Sequence, residues 1–76
     1  MADFVVTKLR LARVKKGIKM TSLAEALGVS LERISQIELR KAVASRKLAN
    51  AIAVYLDVPT EELFDHDFLA KKVEER

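Results

Sequence analysis

The stretch "SLAEALGVSLERISQIE", residues 22–38, contains two short helical patterns that meet at Gly28. Isolated helices shorter than about 12–15 residues are marginal in water, so each of these two must gain its stability by packing. Gly28 is one of only two glycines in the chain, and glycine reaches positive φ without a Cβ clash. The pattern therefore predicts a sharp turn at residue 28 that folds one helix against the other.

The residues around this turn match what two helices packed at a steep angle require. The position that faces the second helix at closest range is small, and the positions that point between the helices are apolar. In chain order these positions are Leu23, Ala24, Leu27, Val29, Ile34 and Ile37. Together with Gly28 they predict a helix-turn-helix, in which two helices meet at about 90–120°. An ordinary hairpin of two helices is the alternative.

Five helices are predicted in all, most of them preceded by a hydroxyl residue that acts as the N-cap. Glycines and the segment "DVP" are expected to end them. The second helix has Lys19 where a cap belongs, so Ser22 and Glu25 are expected to form a capping box and shorten it. The five segments are "KLRLARVKK" after Thr7, "MTSLAEAL", "LERISQIE" after Ser30, "RKLANAIAVYL" after Ser45 and "EELF" after Thr60.

The two ends of the chain suggest a small two-stranded ribbon. "DFVV", residues 3–6, is apolar and β-branched, and "FDHDF", residues 64–68, alternates apolar with polar, so the two are predicted to pair. The final "LAKKVEER" is predicted to be a frayed helix or disordered. A chain of 76 residues supports one small core. We therefore expect a single domain, 1–76, with its core over 8–64 and a tail or dimerisation extension over 65–76.

Composition excludes several classes of protein. The chain has no cysteine, so it has no disulfide framework and no thiolate metal site. No apolar run approaches the roughly 20 residues that a membrane helix needs. The opening "MADFVVTK" has neither the basic flank nor the long apolar stretch of a signal peptide. These features predict a cytoplasmic protein with no membrane partner.

Charge is spread unevenly along the chain. Residues 1–47 carry eleven Lys and Arg against four Asp and Glu, a net +7, whereas residues 48–76 carry three against seven, a net −4. Such asymmetry favours a molecule with one side that meets a polyanion. A solvated surface without a partner is the alternative interpretation of the charge alone.

Three motifs extend the comparison beyond the turn: "LRLARVKKGIK", "LAEALGVSLERISQIE" and "LANAIAVYLDVPTEELF". From about Lys8 to Phe64 they resemble the phage-repressor and Cro-like helix-turn-helix regulators of the xenobiotic-response-element type. The resemblance implies an all-α, lambda-repressor-like fold of five helices, with the second and third as the DNA-reading pair. It also implies a structural ion pair between Arg13, late in the first helix, and Glu38, at the end of the reading helix.

The same resemblance assigns roles on double-stranded DNA, because the N-terminal part of the reading helix enters the major groove. Gln36 suits adenine N6 and N7, Leu31 a thymine methyl group, and Glu32 cytosine N4. The predicted base-contacting residues are Ser30, Leu31, Glu32 and Gln36. The predicted phosphate-contacting residues are Met20, Thr21, Arg33, Arg40, Lys41, Ser45, Arg46 and Lys47.

Two of these positions depart from the pattern of the family. Met20 stands where the family usually has a glutamine that links the DNA backbone to the base-reading residues. Arg40 stands where the family commonly turns on a glycine, and a left-handed residue other than glycine there costs about 1–2 kcal/mol. We therefore expect either that the third helix runs on through Arg40 or that the turn is built differently.

The segment "LANAIAVYL", residues 48–56, has more apolar residues than one small core requires. Eight of its nine residues are apolar, whereas an amphipathic helix needs only a stripe. Ala51, Val54 and Tyr55 remain after the core positions are assigned. Phe4, Phe64 and Phe68 of the same chain could cover them, or a second subunit could. We expect a homodimer built by the C-terminal region, with the N-terminal strand as a further candidate, and with Val54, Tyr55, Phe64 and Phe68 at its interface.

The function predicted from these features is that of a dimeric repressor that binds DNA. The alternative is a module derived from the helix-turn-helix, or an antitoxin, that binds a partner protein rather than DNA. Catalysis is not expected, because His66 and its neighbours in "DHD" point to opposite faces of an extended chain and do not converge on one ion. The sequence suggests no cofactor, no metal and no small-molecule ligand.

Overall fold

The computed structural model describes residues 6–73, and within them the fold is all-α, as predicted. Five helices follow one another along the chain: α1 (Lys8–Lys15), α2 (Met20–Leu27), α3 (Leu31–Glu38), α4 (Arg46–Leu56) and α5 (Thr60–Leu63). No helix in the described part of the chain is both long and apolar enough to cross a membrane.

Three helices begin at the hydroxyl residues that the sequence predicts. The hydroxyl oxygens of Thr7, Ser30 and Ser45 accept hydrogen bonds from backbone amides three residues further on, at 3.1–3.2 Å. Each bond satisfies one of the amides that the first turn of a helix leaves without a partner. The cap residues therefore set the first residues of α1, α3 and α4.

The helix predicted over "MTSLAEAL" is observed with those bounds, but the capping box expected to shorten it and the cap expected from Thr60 are wrong. Lys19 is the N-cap of α2 and makes no side-chain cap, and α2 already begins at Met20 rather than at a capping box on Ser22. α5 begins at Thr60 itself, after Pro59. The Thr60 hydroxyl donates to Asn50 Oδ1 at 2.9 Å, so it joins α5 to α4 instead of capping its own helix.

Each of the first four helices is followed, within two residues of its end, by a residue with positive φ. Gly17 and Gly28 have φ of 70° and 69°, and Arg40 and Asp57 have φ of 63° and 60°. After each helix, the amide of this residue and the next one bond back to carbonyls of the last turn, the Schellman arrangement. The predicted turn at Gly28 is therefore confirmed, and the same turn recurs twice without glycine.

The core is formed by side chains from all five helices and from the residues that follow α5. Of the positions predicted to face the inside of the helix pair, Leu23, Ala24, Ile34 and Ile37 are buried. Leu27 and Val29 are half-buried and pack against them. The buried apolar residues of the other elements are Leu9, Ala44, Ala49, Ile52, Ala53, Leu56, Leu63, Phe64 and Ala70.

The C-terminal residues fold back on the helices and form what we call the C-terminal strap, residues 64–73. Phe64 pairs with Ala70, and Thr7 pairs with Lys72, both antiparallel. The amide of Lys71 donates to the Leu63 carbonyl and the amide of Lys8 donates to the Lys71 carbonyl, each at 2.8 Å. The strap therefore crosses between the end of α5 and the start of α1.

The strap corrects the predictions for both ends of the chain. Val6 and Thr7 pair with residues 71–73 and not with "FDHDF", which instead forms a turn closed by bonds between Asp65 and Leu69. Residues 69–73 are extended and not helical, because this conformation buries Ala70 completely. Residues 3–5 of "DFVV" and the last three residues of the tail lie outside the described residues.

A substitution at Gly28 tests the cost of a positive φ separately from any steric clash. A Cβ at this position meets no atom within 4 Å, so Gly28→Ala is disfavoured only by φ. We expect Gly28→Ala to lower the free energy of unfolding by about 1–2 kcal/mol in urea titration. Asp57→Gly, at a left-handed position that lacks glycine, serves as the control and should not destabilise the protein by more than about 0.5 kcal/mol. Equal stability of Gly28→Ala and wild type would contradict the left-handed conformation of residue 28.

Candidate DNA-binding surface

The N-terminal part of α3 presents a polar face to solvent and an apolar face to the core. Ile34 and Ile37 are fully buried. The opposite side exposes all four predicted base-contacting residues, Ser30, Leu31, Glu32 and Gln36, together with Arg33. Leu31 is 45% exposed although it is a large apolar side chain. This face of α3, which we call the reading face, is therefore available to a partner.

The residues predicted to contact phosphate have different environments. Thr21, Arg33, Lys41, Arg46 and Lys47 are exposed. Ser45 is exposed as well, but its hydroxyl is already the cap of α4. Met20 is half-buried and packs against the core, so only its backbone, at the start of α2, suits a phosphate.

Arg40 differs from its sequence prediction on two points. α3 ends at Glu38, and Arg40 itself adopts the left-handed conformation of a glycine, so neither of the two expected solutions for this turn is correct. Its Nη1 donates to the Ala70 carbonyl at 2.6 Å and lies 3.4 Å from Asp65 Oδ2. This guanidinium is bound to the strap of its own chain, which argues against its predicted contact with phosphate.

Asp65 is held ionised by its surroundings. The pKa of Asp65 lies below its ordinary value of 3.8 because of a hydrogen bond with the Asp67 side chain, and because Arg40 and the Leu69 amide stabilise the carboxylate. A group with a lowered pKa stabilises the folded state above its ordinary pKa and loses this effect as the pH falls through the folded value. The bond from Arg40 to Asp65 is therefore intact at neutral pH.

The C-terminal end of α3 is anchored by a buried ion pair between Arg13 and Glu38. The Glu38 residue is 1% exposed. Arg13 Nε and Nη2 both donate to the Glu38 carboxylate, the second at 3.3 Å, and Nη1 donates to the Ile18 carbonyl at 2.8 Å. One guanidinium thus joins α1, the loop that follows it and the end of α3.

Thr7 adds a second anchor at the same place. Its hydroxyl donates to the Glu38 carbonyl at 2.8 Å while it accepts the amide of Arg10 as the cap of α1. The sequence reveals only the capping role, because nothing local indicates a bond across 31 residues. Every buried polar side-chain atom within residues 6–73 has a hydrogen-bond partner, so these anchors leave no buried group unsatisfied.

The predicted dimer residues divide into exposed and buried ones. Val54 is 80% exposed, and Tyr55 is exposed beside it on α4. Phe64 is only 2% exposed and belongs to the core of its own chain, so its predicted place at an interface is wrong. Phe68 is half-buried and packs against the same core. Among the predicted dimer residues, only Val54 and Tyr55 on α4 are therefore exposed enough to meet a second copy.

Comparison with protein families matches the five helices but not the C-terminal strap. A family model described as Helix-turn-helix matches residues 9–63, from the start of α1 to the end of α5. The match covers the reading face and both partners of the buried ion pair, whereas the strap follows it. A search of curated proteins finds no match.

The ion pair yields a prediction with a built-in control. Arg13→Met or Glu38→Leu alone leaves one buried charge without its partner, which costs about 3–5 kcal/mol in unfolding free energy. The double variant removes both charges and should recover most of this loss. Chemical denaturation followed by circular dichroism measures all three proteins. Additive losses in the double variant would contradict the role of the pair.

Proposed function

Because this chain belongs to the helix-turn-helix family of Cro and phage-repressor type, whose members are DNA-binding regulators, we propose that it is a dimeric repressor. It binds double-stranded DNA in the major groove through α3 and blocks access to a promoter. The proposal includes the cytoplasmic location that the sequence predicts.

The observation that carries this proposal is the exposed polar face at the start of a helix whose other end is anchored. Gln36 has a side-chain amide whose NH₂ group donates and whose carbonyl accepts, which matches the acceptor N7 and the donor N6 of adenine. Leu31 supplies an apolar contact suited to a thymine methyl group, and Glu32 an acceptor for cytosine N4. A helix anchored at its C-terminal end presents these groups at constant spacing, which sequence-specific reading requires.

Phosphate contacts are proposed for the exposed cations that flank the reading face. Arg33, Lys41, Arg46 and Lys47 carry positive charge, and the starts of α2 and α4 add backbone amides. We expect about four phosphate contacts per subunit and eight per dimer. At about −0.9 per phosphate, the logarithm of the affinity should fall against the logarithm of salt concentration with a slope near −7.

A homodimer is proposed because α4 carries an apolar pair that residues 6–73 of its own chain leave exposed. Val54 and Tyr55 are exposed on the same helix. A twofold axis at this surface gives a self-complementary interface, and two reading helices about 34 Å apart then meet one face of the DNA. The acidic C-terminal part of the chain is then used for assembly, not for binding DNA.

Gln36 provides the test of base reading. DNA selected from a random pool by the wild-type protein should contain one preferred sequence, and Gln36→Ala should lose about 1–3 kcal/mol at a single base position. Lys47→Ala is the matched control, since loss of a phosphate contact weakens binding to all sequences and lowers the salt slope by about 0.9 per contact. Absence of any DNA binding by the wild-type chain at low salt would favour the protein-binding alternative.

Val54 provides the test of the dimer. Val54→Lys places a charge on the exposed face of α4 without entering the core, so the fold should persist. We expect light scattering at micromolar concentration to show a dimer for wild type and a monomer for the variant. Binding to a full twofold site should weaken, whereas binding to an isolated half-site should not change. A monomeric wild-type protein contradicts this part of the proposal.

A further inference from the structure

We infer that Arg40 is a positioning residue for DNA binding, and that it acts through the C-terminal strap. Its guanidinium fixes the connector between α3 and α4, residues 39–45, and this connector places the exposed cations of residues 41–47 beside the reading face. The inference rests on the proposed DNA-binding function and replaces the direct phosphate contact that the sequence suggests for Arg40.

The first support is that Arg40 occupies a backbone position favourable to glycine. Its φ of 63° lies in the left-handed region, which is strained for any residue with a Cβ. An arginine at this position is consistent with a requirement for its side chain. That side chain is held at 2.6 Å by the Ala70 carbonyl and lies beside the Asp65 carboxylate.

The second support is that the strap holds the connector at both ends. Arg40 makes the contact at one end through its side chain. At the other end the amide of Ala44 donates to the Phe68 carbonyl at 3.0 Å, and Ala44 is buried. Lys41 lies between these two contacts and is exposed. The path of the connector is therefore determined by the strap.

The third support is that the strap is itself firmly bound. Ala70 is fully buried. Lys71 bonds through its backbone to Leu63 on one side and to Lys8 on the other. The strap thus links the connector to the end of α5 and to the start of α1. The strap lies after residues 9–63, which the family model matches. The contacts of the strap with the connector are therefore not part of the matched region.

The experiment compares full-length wild type with Arg40→Gly. Glycine relieves the strain at φ 63°, so this variant removes the guanidinium while the turn is retained. DNA affinity is measured by fluorescence anisotropy over a series of salt concentrations. Hydrogen exchange of the Ala44 amide, followed by NMR in the absence of DNA, reports the contact between strap and connector.

We expect Arg40→Gly to bind DNA about five- to tenfold more weakly, with an unchanged salt slope and faster exchange at Ala44. Lys41→Ala is the matched control one residue away. It should lower the salt slope by about 0.9 per phosphate contact and leave exchange at Ala44 as in wild type. Asp65→Asn removes the charge on the strap that faces Arg40. It should therefore weaken DNA binding and speed exchange at Ala44, as Arg40→Gly does.

Two results overturn the inference. A reduced salt slope for Arg40→Gly with unchanged exchange at Ala44 identifies Arg40 as a phosphate contact. Binding and exchange identical to wild type show that the strap does not influence the connector. If the wild-type chain binds no DNA, the proposed function fails together with the role of Arg40 in binding, and exchange at Ala44 still decides whether Arg40 holds the connector.

Discussion

The buried ion pair between Arg13 and Glu38 is the interaction on which the arrangement of the helices depends. Both groups are removed from water, so neither is tolerated without the other and without further hydrogen bonds. The Ile18 carbonyl supplies the remaining acceptor. Because one guanidinium contacts both the loop that leads into α2 and the last residue of α3, the two helices of the pair cannot shift independently.

The other anchors gather around the same end of α3. Thr7 bonds to the Glu38 carbonyl, and Arg40 bonds to the strap immediately after the helix ends. The opposite end of α3 is held by its Ser30 cap and the buried Ile34, and its outward residues are exposed. This arrangement suits a helix that presents side chains to a large, charged partner. The anchored C-terminal end keeps the helix rigid, and the N-terminal end leaves the reading face accessible to the partner.

Features with local causes could be predicted from the sequence. The turn at Gly28, the caps at Thr7, Ser30 and Ser45 and the buried face of Ile34 and Ile37 each follow from a few neighbouring residues. The end of α3 could not be predicted in this way, because the strain at Arg40 is offset by an acceptor 30 residues away. The pairing of the chain ends failed for a related reason: "FDHDF" is suited to a strand, but its own turn brings Ala70 against Phe64.

The sequence by itself determined the five helices, the helix-turn-helix and the residues that face outward on α3, since periodicity, caps and the glycine turn act within a few residues. The tertiary structure alone decided which charged and apolar residues remain available. Arg40 is bound by the strap and Phe64 is buried in the core, whereas Val54 stays exposed. Contacts between residues distant in sequence make that selection, because packing and the partners of buried polar groups are settled only when the whole chain has folded.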